Sequence, residues 1–141
     1  MQPMDNIFID TNIPMFAAGG EHPQREPAQR VILGIVNGEI NAVTNAEVFQ
    51  EILYRYLHIG QLEKGLEIFD RFHRIMLGHI LPVEDGDVWQ ARELVGQYPS
   101  LEARDLIHLG VMLRHNIKEI ITVDIGFDIV EEVNRIDPST F

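Results

Sequence analysis

The residues of this chain best placed to do chemistry are acids that follow short apolar runs. In Asn6-Ile7-Phe8-Ile9-Asp10-Thr11-Asn12, a β-branched and aromatic run ends in a carboxylate followed by two small polar residues. Glu119-Ile120-Ile121-Thr122-Val123-Asp124 repeats the pattern near the other end of the chain. Carboxylates gathered at one point repel each other unless some are protonated or a cation is bound. With no cysteine in the chain and no paired-histidine pattern, the donor set is all oxygen. Oxygen donors favour Mg²⁺ or Mn²⁺ over zinc, and such ions activate water and neutralise phosphate in hydrolysis.

The elements around these acids must bring them together. Ile7, Phe8 and Ile9 read as a short strand buried on both faces, as in a parallel sheet. A second strand is expected over 40–43, beside the first. A third is expected over 79–83, with Pro82 marking an edge, and a fourth over 119–124. Helices are expected over 26–37, 45–57, 61–76, 85–97 and 101–115, with a short one over 127–134. The helices over 45–57 and 61–76 form an α-hairpin. Expected buried positions are Leu62, Leu66, Phe69, Phe72 or His73, and Met76 in the second of these. In the next two helices they are Val88, Trp89, Leu94 and Val95, then Leu106, Leu109, Gly110 and Leu113.

Alternating strands and helices predict an α/β fold with a central parallel sheet and helices on both faces. Ligands of such sheets bind at the carboxyl ends of the strands. Asp10 and Asp124 then share one rim if their strands are neighbours. Asp105 joins them from the first turn of its helix, where the helix dipole favours a negative charge. Glu51 leans over the same rim from the helix after the second strand.

Each acid also has a plainer reading. Asp10 could cap the next helix, and Asp124 could be a turn residue. Glu51 stands four residues after Glu47 and four before Arg55, so it could belong to a surface pair. Asp105 could be a helix N-terminal acid and nothing more. Asp128 reads as structural more readily than functional, and His108 as packed rather than catalytic.

Four segments in order resemble the PIN-domain family, in particular the VapC-type toxins of bacterial and archaeal toxin–antitoxin pairs. They are Phe8-Ile9-Asp10-Thr11-Asn12, Val48-Phe49-Gln50-Glu51-Ile52, Arg104-Asp105-Leu106-Ile107-His108-Leu109-Gly110 and Ile121-Thr122-Val123-Asp124-Ile125-Gly126-Phe127. Leu106 departs from the family's small residue after the helical Asp, a packing difference. The resemblance implies one PIN-like domain over 1–141, a three-layer α/β/α sandwich, and a Mg²⁺- or Mn²⁺-dependent endoribonuclease. It implies Asp10, Glu51, Asp105 and Asp124 as catalytic metal ligands, with Glu47 competing with Glu51 for its place. Thr11, Asn12 and Asp128 are the supporting residues. An RNA substrate, an antitoxin partner and a homodimer are implied as well.

Bulk composition bounds the rest. One domain of 141 residues can close a core without staples. The absence of cysteine suits a reducing cytoplasm, and no apolar run approaches the ~20 residues a bilayer requires. Met1–Asp5 does not open a secretory signal. The net charge of −11 leaves an acidic surface even with four acids set aside, so RNA would rely on local cations: Arg55, Lys64, Arg71, Arg74 and Arg104. Two rival readings use the same fold. One is a non-catalytic PIN-fold module that binds RNA or protein. The other is an aspartyl-phosphate phosphotransfer domain, disfavoured because no second Asp stands beside Asp10 or two residues beyond it.

Overall fold

The structure, a computed structural model, describes residues 5–141; the segment 1–4 read above for a signal lies outside them. Five short parallel strands form its centre: β1 (Ile7–Ile9), β2 (Ala42–Asn45), β3 (Ile80–Leu81), β4 (Glu119–Ile121) and β5 (Asn134–Ile136). Their spatial order is β3-β2-β1-β4-β5. Six helices flank the sheet: α1 (Asn12–Ala18), α2 (Arg25–Val36), α3 (Ala46–His58), α4 (Leu62–Ile75), α5 (Asp85–Leu94) and α6 (Ala103–Arg114). The result is a three-layer α/β/α sandwich.

The strand order explains where a site can form. From β1 the chain builds outward on one side through β2 and β3, then returns to the other side of β1 with β4 and β5. The direction of winding therefore reverses between β1 and β4. At such a switch point the connections leave in opposite directions and open a crevice beyond the carboxyl ends of the strands. Phe8 pairs in register with Val43 on one side and Ile120 on the other. The Asp10 amide donates to the Ile121 carbonyl at 3.2 Å, so the acid leaves the sheet directly at the crevice.

Phe8, Ile9, Ile120 and Ile121 are fully buried, as expected of a central parallel sheet. β2 begins two residues later than the sequence predicts, and its last residue, Asn45, caps α3 by accepting from the Val48 amide. The tail differs from the helix expected there. A 3₁₀ turn over Ile125–Ile129 leads into β5, an edge strand on β4.

Two core stripes also differ from expectation. In α4, Leu62 and Leu66 are exposed, and Gly65 and Ile68 face inward beside Phe72, which is buried as expected. Gly65 lets α4 approach the Tyr56 side chain of α3 too closely for any Cβ. In α5, Val88 and Trp89 are exposed, as is Val95 just after the helix; Asp87 and Ala91 are buried beside Leu94, which is buried as expected. Asp87 sits inside because Arg114 of α6 binds both its oxygens, at 2.7 and 2.9 Å. Leu113 faces outward, unlike its helix neighbours Leu106, Leu109 and Gly110.

Candidate metal centre

Asp10, Glu51, Asp105 and Asp124 line one cavity of about 340 Å³ at the switch point, together with Asn12 and Arg104. Four different elements deliver the acids. Asp10 follows β1, Glu51 lies within α3, Asp105 stands in the first turn of α6, and Asp124 opens the 3₁₀ turn after β4. Glu47 lies one turn before Glu51 and does not line the cavity.

A side-chain lattice fixes Asp10. Its Oδ1 accepts from the Thr11 amide at 2.7 Å. Its Oδ2 accepts from the Thr122 hydroxyl at 2.7 Å and the Asn12 amide at 3.3 Å. The Thr122 hydroxyl in turn accepts from Asn12 Nδ2 at 2.9 Å and from the Asp124 amide at 3.0 Å. Asp124 Oδ1 accepts from the Gly126 amide at 2.8 Å, so this acid both caps its turn and borders the cavity. Thr11 contributes its backbone amide, and its buried hydroxyl lies beside Glu51, where it favours the charged carboxylate.

Arg104 is the cation of the cavity, and it is already engaged. Its Nε meets Glu51 at 2.8 Å and its Nη2 meets Glu102 at 2.6 Å. Even so, burial and the nearby Asp10 push the Glu51 carboxyl up to about 7. Burial, Asp10 and Asp124 push Asp105 up to about 7 as well. Glu47 is raised by burial, against the pull of Arg104. Excess negative charge therefore collects here beyond what one arginine offsets.

His108 is fully buried behind the acids, with its ring 5.0 Å from that of Phe8. Asn45 fixes its tautomer. Asn45 Oδ1 accepts from the Val48 amide, so Nδ2 is the atom facing His108 Nδ1 at 3.0 Å. Nδ2 can only donate, so Nδ1 accepts and the ring hydrogen resides on Nε2. Nε2 points toward Asp10 Oδ1 at 3.7 Å and has no closer partner. Burial holds the ring's pKa below its ordinary value, which keeps it neutral.

Asp128 is the one supporting candidate placed elsewhere. It is absent from the cavity lining and pairs with Arg135 at 2.8 Å, on the exposed side of the turn. Sequence reasoning assigns no role to Thr122 or to the side chain of Asn45 beyond a cap. Thr122 carries one weak signal, a hydroxyl two residues before Asp124. The capping signal of Asn45 is correct but says nothing of His108.

Asp10, Asp105 and His108 offer ligand atoms within 4.8 Å of one another. The protonated Nε2 takes His108 out of that set, which leaves an all-carboxylate constellation. Oxygen donors, closely spaced and partly held in the neutral form by burial and then by mutual repulsion, fit a hard divalent cation.

Residues 7–133 match the family described as PIN domain. Ribonuclease VapC13 of Mycobacterium tuberculosis is 38% identical over 130 residues, spanning 92% of this chain and 98% of that one. Ribonuclease VapC23 of the same organism is 38% identical over 121 residues, 84% of this chain and 92% of its own. Among solved structures, the sarcin–ricin loop cleaving toxin VapC20 of M. tuberculosis superposes with a TM-score of 0.71 at 16% identity, covering 90% of this chain and 96% of that one. VapBC2 from Rickettsia felis, bound to a promoter DNA fragment, gives 0.70 at 15% identity, covering 94% and 99%.

Proposed function

Because the chain belongs to the PIN-domain family, we propose that it is a divalent-metal-dependent endoribonuclease, the toxin of a toxin–antitoxin pair. The observation that carries this reading is the convergence of Asp10, Glu51, Asp105 and Asp124 on one cavity. Relatives named as ribonucleases at 38% identity support the substrate class. Fold neighbours solved as toxin–antitoxin complexes support an antitoxin partner.

Asp10, Asp105 and Asp124 would hold Mg²⁺ or Mn²⁺, with Glu51 sharing that ion or holding a second. When bound, such an ion supplies Lewis acidity that activates water and offsets phosphate charge. The chain's own residues do the positioning. Thr122, Asn12 and the Thr11 amide lock the Asp10 carboxylate in one orientation. Asp124 is held by its own turn and, through its amide, by Thr122. Arg104 draws Glu51 into the cavity and places a guanidinium at its wall, where it can turn from Glu102 to a phosphate. The three donors on Asp10 also weigh against its service as an aspartyl nucleophile, the phosphotransfer alternative.

The test is cleavage of pooled tRNA, rRNA and mRNA fragments with Mn²⁺ and then with EDTA. Cleavage with Mn²⁺ that EDTA abolishes is expected, as is its loss in Asp10→Ala protein that remains folded. Cleavage that persists in contaminant-free Asp10→Ala protein would sink the mechanism. Metal binding without any cleavage would instead favour the non-catalytic binding module. The antitoxin is to be sought as a co-purifying product of the neighbouring reading frame, and homodimerisation by sedimentation of the isolated chain.

A further inference from the structure

A second cavity, of about 450 Å³, adjoins the acidic one and shares Asn12 and Glu51 as a common wall. It lies between α1, the loop after it, the second half of α3 and the start of α4. Its character is different: where the acids of the first cavity face one engaged arginine, here Glu21 and the shared Glu51 are matched by Arg55 and Lys64, both exposed. Among the described residues, carboxylates engage Arg71, Arg104, Arg114 and Arg135 but neither Arg55 nor Lys64. The far wall carries the Phe16 ring packed on His22, with centroids 4.5 Å apart and planes tilted by 31°. His22 is exposed, so its outer face is open.

A single-stranded nucleic acid needs two things beside its reacting phosphate: cations for the flanking phosphates and flat rings for the bases. On a chain of net charge −11 these must be local. We propose that this groove is the binding subsite for the nucleotides next to the scissile phosphate of single-stranded RNA, with Arg55 and Lys64 taking phosphate and the Phe16–His22 stack taking a base. The inference rests on the ribonuclease reading and adds the path of the substrate: along α3, away from the α6 side of the acidic cavity.

The experiment follows cleavage of a fluorescein-labelled, random-sequence single-stranded RNA in Mn²⁺. It compares the wild type with R55A/K64A, H22A and K118A. Lys118 is an exposed cation at the opposite rim, immediately before β4, and serves as the charge control. All replaced side chains are exposed, and circular dichroism checks that each variant folds. In R55A/K64A, KM should rise about tenfold with kcat within about twofold. The slope of log(kcat/KM) against log salt should flatten by about 1.4, because each single-strand phosphate that a cation neutralises adds ~0.7 to it. H22A should weaken KM about tenfold with an unchanged salt slope, because stacking carries no charge. K118A should match the wild type. If wild-type protein cleaves while R55A/K64A keeps its KM and slope, the groove has another occupant and this proposal falls alone. Equal losses in K118A would reduce the effect to net charge and overturn it too. If the wild type does not cleave RNA in Mn²⁺, the ribonuclease reading falls and takes this one with it.

Discussion

Asp105 is buried next to Asp10 and Asp124 without a cation of its own, and its carboxyl is pushed up to about 7. Its ordinary value is near 4, so between about pH 4 and 7 the folded protein holds a proton that the unfolded chain has released. The stability this group contributes is therefore fully present below about pH 4, falls as pH rises from 4 to 7, and is lost above 7. Asp105→Asn should stabilise the metal-free protein by about 2 kcal/mol at pH 8, and by much less at pH 5. The same substitution should remove most of the rise in melting temperature that Mn²⁺ gives the wild type. Equal melting temperatures for the variant and the metal-free wild type at pH 8 would contradict the crowding of charge. Asn45 permits a second residue-scale test. Asn45→Asp replaces the donor facing His108 Nδ1 with an acceptor. The ring hydrogen should then move to Nδ1, a switch that ¹⁵N chemical shifts of the imidazole report directly. Cleavage should fall about tenfold or more, because a lone pair would face Asp10 where an N–H did before. An unchanged tautomer would refute the assignment.

At the scale of elements, α5 and α6 meet at Gly110, where a Cβ would lie 2.5 Å from the Asp87 carbonyl oxygen. That obstacle is backbone and cannot step aside. Gly110→Ala should destabilise the fold by about 1–3 kcal/mol, measured by urea titration. Arg114→Ala should lower the urea midpoint as well, by leaving the buried Asp87 carboxylate without its partner. The main helices and strands β1 to β4 are legible in the sequence because apolar runs and caps mark them locally. β5 is not: Asn134-Arg135-Ile136 has one apolar residue, and pairing with β4 makes it a strand. The facing of α4 and α5 is hidden for a related reason. In α4, Leu62, Leu66 and Phe69 recur at helical spacing as well as Gly65, Ile68 and Phe72 do. Close approach to Tyr56, which only glycine permits, decides between the two stripes. In α5 an aspartate is buried in place of a tryptophan because its arginine partner lies 27 residues away. Asp10, Asp105 and Asp124 are legible because each follows a strand or opens a helix, whereas Glu51, inside α3, carries no such mark. Thr122 and Asn45 are not, since their roles exist only across strands.

For the whole molecule, the twofold excess of acids over cations sets how it meets a polyanion. Attraction confined to a few cations is screened within roughly a Debye length, ~8 Å at physiological salt. Cleavage measured as kcat/KM should therefore fall steadily as salt is raised, while kcat changes little. A flat salt profile would show that charge does not guide RNA to this surface. No helix among the described residues is long and apolar enough to cross a membrane. The Thr122 hydroxyl, which ties Asp10 to the turn of Asp124, joins positions 112 residues apart. During synthesis, a chain that has emerged only as far as β4 carries three of the four acids but neither this knot nor its last carboxylate. Under the proposed four-acid site, cleavage should therefore require nearly the whole chain, and products truncated before Asp124 should leave RNA uncut in the Mn²⁺ assay.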